Sequence, residues 1–240
     1  MSIRGVKGKV DDKIPIRNVL ISVSNKDKLD VLVSGLIHYQ DVILFSTGGT
    51  YAKIKDMLSA TDLTKGRLVE IARYTQMPEM EGGLVKTLHP KVHAGILGER
   101  NNPEHIRYLK EGLNSAVFFD MVVVNLYPFE RVIADPNVSF EGTRGNIDIG
   151  GPAMLRGAAK NFLYCAAVCQ PEYYDALLTH INANNGSTLL AERLCLASET
   201  FKVTAEYDAA IAKHLNEKIM ASEGRGLGRI VEGYLNSEGV

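Results

Sequence analysis

The sequence predicts an α/β fold: a doubly wound, mostly parallel sheet flanked by helices, with a helical C-terminal extension. Three observations point there. Short β-branched apolar runs at 19–23, 41–45 and 118–126 have the character of strands buried on both faces. Segments with apolar residues every three or four positions alternate with them. The early connections are only a few residues long, as stacked βαβ units require.

The strand at 19–23 is followed, after Ser24-Asn25, by a helix over 27–39 with Leu29, Leu32, Val33, Leu36 and Ile37 on one face. The strand at 41–45 leads directly into Ser46-Thr-Gly-Gly-Thr50 and a helix carrying Ile54, Met57 and Leu58. A weaker strand is expected near 68–71. The stretch 74–98, rich in Gly, Pro and His without a clean period, has the look of a long functional loop. Asn102 then caps a helix with Pro103 at its first position and Glu104 in its first turn, placing Ile106 and Leu109 inward. The run around Met121-Val-Val-Val124 is the strongest strand in the chain. A helix is expected from Gly150-Gly-Pro, then a short strand at 165–168, a helix at 172–181 and a turn at 182–186. From Leu190 to Leu215 apolar residues step by three and four, with Asp208 the one polar interruption, giving one long helix or a broken pair. Residues 227–235 suit a short helix. The expected organisation is a loose arm over 1–17, one α/β unit over 18–218 and a tail over 219–240.

A chain of 240 residues buries enough surface to fold without disulfide or metal staples. Lys plus Arg number 27 and Asp plus Glu 28, a net charge of −1. That balance argues against broad electrostatic capture of nucleic acid or an acidic membrane, so an anionic ligand must be met by local donors. No apolar run approaches a membrane span, and no basic-then-apolar signal opens the chain. Three cysteines, Cys165, Cys169 and Cys195, do not make a disulfide framework, which fits a reducing cytoplasm. Cys165 and Cys169 are expected as small buried hydrophobes.

The chemistry-bearing residues fall in four clusters. Ser22-Val-Ser-Asn-Lys26 and Ser46-Thr-Gly-Gly-Thr50 each follow a strand, at the edge where such sheets bind ligands. Glycine N–H groups, hydroxyls, Lys26 and a helix start together make a phosphate cradle, although neither the P-loop nor the G-x-G-x-x-G pattern is present. Alone, the glycine pair equally suits a plain strand-to-helix turn. The segment 80–95 gathers Lys86, Thr87, His89, Lys91 and His93. Pro90 between the two histidines argues against a regular helix face, and no other ligand pattern is nearby, so no metal is expected. Asn125-Leu-Tyr-Pro-Phe129 emerges from the strongest strand, and Asn146-Ile-Asp-Ile-Gly-Gly151 opens a helix ending in Lys160-Asn161. Taken singly, Asp148 is a helix cap and Lys160 a dipole partner. Lys86, Tyr127, Asp148 and Lys160 delivered to one sheet edge would instead be a proton-transfer and oxyanion-stabilising set that needs no metal.

In order and spacing, these blocks, with Pro78-Glu-Met80, Gly82-Gly-Leu-Val-Lys-Thr-Leu-His-Pro90 and Ala158-Ala-Lys-Asn161, resemble the IMP cyclohydrolase domain of bifunctional AICAR transformylase/IMP cyclohydrolase. The resemblance covers roughly 18–215. It implies a methylglyoxal-synthase-like fold, a homodimer, no cofactor, and closure of 5-formamidoimidazole-4-carboxamide ribotide (FAICAR) to IMP with loss of water. It also implies Lys86, Tyr127, Asp148 and Lys160 as the catalytic residues. Ser24, Lys26, Thr47, Gly48, Gly49, Thr50 and Thr87 then face the phosphate, and Asn125 with the Ile149 and Gly150 backbone faces the base. Two departures stand out. The Tyr-Gly-x-Asn-Pro-His motif that opens the transformylase is missing, so a stand-alone cyclohydrolase is expected, with one subunit of a two-chain enzyme as the alternative. Leu84 occupies the place of a family arginine expected to help hold the phosphate, with Arg67 or Arg73 as candidate substitutes. The rival readings are a methylglyoxal synthase and a non-catalytic nucleotide-sensing module. Neither requires all four catalytic residues together.

Overall fold

The computed structural model describes residues 9–77, 80, 85–221 and 225–236. The chain forms two compact units, Met1–Leu126 with Gly150–Phe201, and Tyr127–Ile149 with Lys202–Val240. The division falls inside the long C-terminal helix and around one excursion of the chain, neither of which marks itself by composition.

The first unit is built on a five-stranded parallel sheet. Its strands are β2 (Asn18–Val23), β3 (Ile43–Ser46), β4 (Leu68–Glu70), β5 (Met121–Asn125) and β6 (Ala166–Val168), in the order β4-β3-β2-β5-β6. The chain winds outward from β2 through β3 to β4, then returns to β2's other side with β5 and β6. The order therefore reverses between β2 and β5, and the carboxyl ends of those two strands flank the crevice where such sheets hold ligands. Register places Val23 opposite Asn125 at that point.

Helices cover both faces. Val19, Ile21, Val23, Met121 and Val123 pack on α1 (Leu29–Ile37) and α10 (Tyr174–Ala183) through Leu29, Leu32, Leu36, Tyr174 and Ile181. Each of these residues is at most 4% exposed, the density expected of a sheet buried on both sides. On the other face α5 (Pro90–Leu97) and α9 (Gly150–Lys160) pack together, and α9 lies on β5 and β6. Before α5 come α2 (Gly48–Met57), α3 (Ala60–Thr64) and α4 (Ile71–Thr75), and between α5 and α9 come α6 (Pro103–Arg107), α7 (Phe129–Ile133) and α8 (Phe140–Gly145). Asn102 caps α6 as expected, its Oδ1 accepting from the Glu104 N–H at 3.1 Å. A π-helical turn over Tyr108–Gly112 follows, which leaves Ile106 43% exposed rather than inward while Leu109 is buried.

Two expectations change. Residues 74–98 are not one loop. Pro90 sits at the first position of α5 and His89 caps it, so the proline starts a helix rather than interrupting one. The N-terminal arm is also not loose throughout. β1 (Lys13–Pro15) pairs antiparallel with β7 (Ser187–Leu189), and Ile14 and Ile16 are buried at 3% and 4%. Arg193, fully buried, holds this corner by donating to the carbonyls of Asp11, Asp12, Phe162, Leu163 and Thr188.

Arg193 belongs to α11 (Leu190–Met220), a single helix of 31 residues rather than a broken pair. The second unit contains α7, α8, the later turns of α11 and α12 (Gly226–Leu235), the short helix anticipated near 227–235. Phe129 packs edge-on against Tyr207 and His214, and Phe140 against Tyr234, whose hydroxyl donates to Glu141 at 2.6 Å.

Candidate active site

The carboxyl edge of the first unit's sheet carries a dense polar network built from the two loops picked out by sequence. The Ser22 hydroxyl meets that of Thr47 at 2.8 Å. Thr50 donates to the Val23 carbonyl at 3.0 Å and accepts from the Val23 N–H at 3.2 Å, binding the start of α2 to the end of β2. Lys26 folds back over this junction, its ammonium donating to the Val23 carbonyl and, at 3.1 Å, to the Thr50 hydroxyl. Burial pushes the Lys26 pKa below the ordinary lysine value. Asn125, at the end of β5, accepts from the N–H groups of Ser24 and Asn25 at 2.6 and 2.8 Å and donates to the Asn25 carbonyl at 2.8 Å. Its amide thus shapes the Ser24–Lys26 turn across the point where the strand order reverses, where a base-facing role was anticipated.

Gly48 and Gly150 are required by close approach. Gly48 has φ of +42°, and a Cβ there would lie 3.0 Å from the Lys86 ammonium. Lys86 is thereby placed at the first turn of α2. A Cβ on Gly150 would lie 2.6 Å from the Thr87 hydroxyl, so the Lys86-Thr87 turn abuts the first residue of α9. Gly49 faces open space. The structure therefore assembles Ser24, Lys26, Thr47, Gly48, Gly49, Thr50, Lys86, Thr87, Asn125 and Gly150 at one edge. Ser22 and Ser46 belong to the same network, the latter donating to the Ile21 carbonyl at 2.8 Å. The hydroxyls beside the glycine motif were the available signal for both.

Lys160 is elsewhere. It closes α9, ten residues from Gly150, a separation of roughly 15 Å along a helix. Neighbouring Asn161 donates to the carbonyls of Ile96 and Gly98 at the far end of α5. The two helices thus run side by side from the Thr87 end to the opposite edge of the sheet, farther than the four-carbon stem of a lysine reaches. Of the four, Lys86 is placed at the carboxyl edge and Lys160 closes the opposite end of α9.

His89 and His93 have local duties. The His89 imidazole accepts the Lys91 N–H at 3.1 Å as the cap of α5, and burial with the adjacent Lys91 lowers its pKa. Burial likewise lowers that of His93. Arg67 is excluded as a phosphate partner: its guanidinium donates to the carbonyls of Ile37, Tyr39 and Val42 and pairs with Asp62 at 2.8 Å. Arg73 is exposed on α4. Leu84 lies outside the described residues, as do Pro78, Glu79 and Glu81 to Gly83.

In the second unit, Tyr127 is 54% and Ile149 60% exposed, each available to a ligand. The Asp148 N–H donates to the Tyr207 hydroxyl at 2.8 Å. Tyr207 was not singled out by sequence, which gave the helix that carries it but not the face it occupies.

Residues 158–233 match the AICARFT/IMPCHase bienzyme family. The chain is 44% identical over 208 residues to the bifunctional purine biosynthesis protein PurH of Chlorobium chlorochromatii, covering 87% of this chain and 38% of that protein. It is 46% identical over 202 residues to PurH of Polynucleobacter necessarius, covering 84% and 36%. The chain thus spans little more than a third of these curated relatives' length. The crystal structure of ForH superposes with a TM-score of 0.70 at 30% identity, covering 83% of this chain and 96% of that one. The chain belongs to the AICARFT/IMPCHase bienzyme family and matches its IMPCHase part.

Proposed function

We propose that this chain is an IMP cyclohydrolase, closing FAICAR to IMP with loss of water in purine biosynthesis. The observation that carries the reading is the placement of the Lys86 ammonium against Gly48, beside Lys26, at the reversal of strand order. Two cations, a row of hydroxyls and glycine N–H groups at a helix start form a site for a nucleotide monophosphate with a cation left for chemistry. The relatives named PurH support the same reading.

The substrate's carboxamide nitrogen attacks a neighbouring formamide carbon. The reaction is intramolecular, so the protein chiefly selects the reactive rotamer, stabilises the oxyanion and moves protons. Lys86 donates to the formyl oxygen, which departs as water with two protons, balanced by one lost from the carboxamide nitrogen and one from the formamide nitrogen. Asp148 accepts the proton from nitrogen, and Tyr127 orients the reacting groups. Ser24, Lys26, Thr47, Gly48, Gly49, Thr50 and Thr87 receive the phosphate, while the Ile149 and Gly150 backbone meets the base. Lys160, at the other end of α9, is not part of the set acting with Lys86 in one chain. The working form in this reading is a cytoplasmic homodimer.

The test is direct: incubate the protein with FAICAR and follow the absorbance of IMP. Formation well above the uncatalysed rate, abolished by Lys86→Ala, is expected. A rate equal to the uncatalysed one would refute the proposal and leave a nucleotide-sensing module.

A further inference from the structure

Within the second unit, one side chain is linked to both segments that carry the roles given to Asp148 and Tyr127. Tyr207, on α11, is 9% exposed. Its hydroxyl accepts the Asp148 N–H at 2.8 Å. Its ring meets that of Phe129 edge-on, centroids 6.2 Å apart at 70°. Phe129 is 2% exposed, and its N–H donates to the Tyr127 carbonyl at 2.8 Å. His214, two turns along α11, closes the other side of Phe129 at 5.7 Å. One helix face thus anchors the Tyr127 segment through a ring stack and the Asp148 segment through a hydrogen bond.

Ring and hydroxyl do different things here. The ring fills the core of the unit, which a phenylalanine would do equally well. The hydroxyl gives a loop N–H its partner, and such a group left unpaired in a buried setting is costly. Burial raises the phenol's pKa, so the hydroxyl keeps its proton across the working pH range. A carboxylate on a loop takes its direction from its own backbone, so a bond to the Asp148 N–H fixes where that carboxylate points.

We propose that Tyr207 is a positioning residue of the cyclohydrolase, its hydroxyl setting the Asp148 segment and its ring, through Phe129, the Tyr127 segment. This rests on the reading of Asp148 and Tyr127 given above. Misplacing a reacting group by about 1 Å costs up to ~100-fold in rate, so a hydroxyl that only orients is expected to matter by about tenfold.

Tyr207→Phe keeps the ring and deletes the bond. Its kcat should fall about tenfold while KM for FAICAR stays within about twofold, the signature of an interaction that counts only in the transition state. Tm should move little, since the packing survives. In the nucleotide-free protein, the Asp148 amide should exchange with solvent at least about tenfold faster than in wild type, with α10 amides unchanged. Tyr207→Leu, which also removes the ring, should lower Tm and kcat further. An unaltered kcat in Tyr207→Phe overturns the proposal, as does a fall in kcat matched by a rise in KM. If the wild-type protein makes no IMP, the cyclohydrolase reading fails by itself. Amide exchange then decides separately: unchanged protection of Asp148 refutes the anchoring role, and lost protection sustains it.

Discussion

The two edges of the parallel sheet carry similar residue types and use them in opposite ways. At the amino edge the charges are mostly buried and engaged with fixed partners within the fold. Asp120, fully buried, accepts from the Arg17 and Asn18 N–H groups at 2.8 and 2.6 Å and pairs with Arg100. Arg67 and Arg193, 4% and 0% exposed, donate to nine residues between them, eight through backbone carbonyls. At the carboxyl edge the groups are hydroxyls, glycine backbone and half-buried ammonium groups, arranged around a turn held open by Asn125. A buried charge with every donor engaged holds a fold together. A half-buried one beside glycines and hydroxyls can exchange its partners for a ligand. Partner count and exposure, rather than charge, tell the two roles apart.

The largest expected effect breaks the amino edge. Asp120→Ala leaves Arg100 without its carboxylate and two backbone N–H groups unpaired, a defect of about 3–5 kcal/mol by the usual cost of halving a buried pair. Chemical denaturation should show that loss, while the kcat of molecules that remain folded stays near wild type. Equal losses of stability and kcat would mean that the edges are not separate.

Lys86→Ala should do the reverse. Removing an acid–base or oxyanion group typically costs about 100-fold in kcat, and a half-buried lysine at a ligand edge contributes little to folding. Tm should therefore hold while IMP formation collapses. Lys160→Ala, at the other end of α9, should cost distinctly less. A loss as large as that of Lys86→Ala would show that Lys160 reaches the chemistry from outside the chain that holds Lys86.

The sheet was legible because buried parallel strands are short β-branched runs, and the carboxyl-edge loops because glycine and hydroxyl clusters stand out against them. The amino edge was not. Asp120 meets Arg17, and Arg193 meets Asp12, across 103 and 181 residues of chain, and no local pattern announces a buried charge at that separation. Arg67 looked like a spare cation for the same reason. Tyr207 lay off the face that apolar spacing picked out on its helix, and its partner, 59 residues earlier, had no local signal either. The helix at Pro90 was missed because Gly, Pro and His dominate that stretch, although a proline at a first helical position is itself a start signal.

Two glycines on α9 sharpen the comparison further. Gly150 abuts Thr87 at the carboxyl edge, and nearer the other a Cβ on Gly157 would lie 3.3 Å from the Ile96 side chain. Gly150→Ala must displace the Lys86-Thr87 turn, so about a tenfold fall in kcat/KM is expected, in line with a misplacement of under 1 Å. Gly157→Ala sits mid-helix, where alanine gains up to about 1 kcal/mol of propensity against a slightly tight contact. Its stability should be unchanged or higher and its kcat/KM unaltered. If the two variants behaved alike, the Thr87 contact would not be transmitting position.

The smallest effect concerns acid. The pKa of His89 is lowered from 6.5 by burial and by Lys91, and that of His93 from 6.5 by burial. A histidine with a depressed folded pKa binds its proton more readily when the chain unfolds, so the unfolded state holds more protons over the intervening range. Stability from these groups is then complete above about pH 6.5, the ordinary histidine value, and declines as pH falls toward the folded values. His89 adds a structural reason, because its imidazole must stay neutral at the nitrogen that accepts the Lys91 N–H. Tm measured from pH 7.5 down to 5 should be level at first and then decline. His89→Asn keeps a capping side chain that does not titrate, so part of the decline should disappear. A decline identical in that variant would assign the acid sensitivity to other groups, His93 or the buried His214 among them.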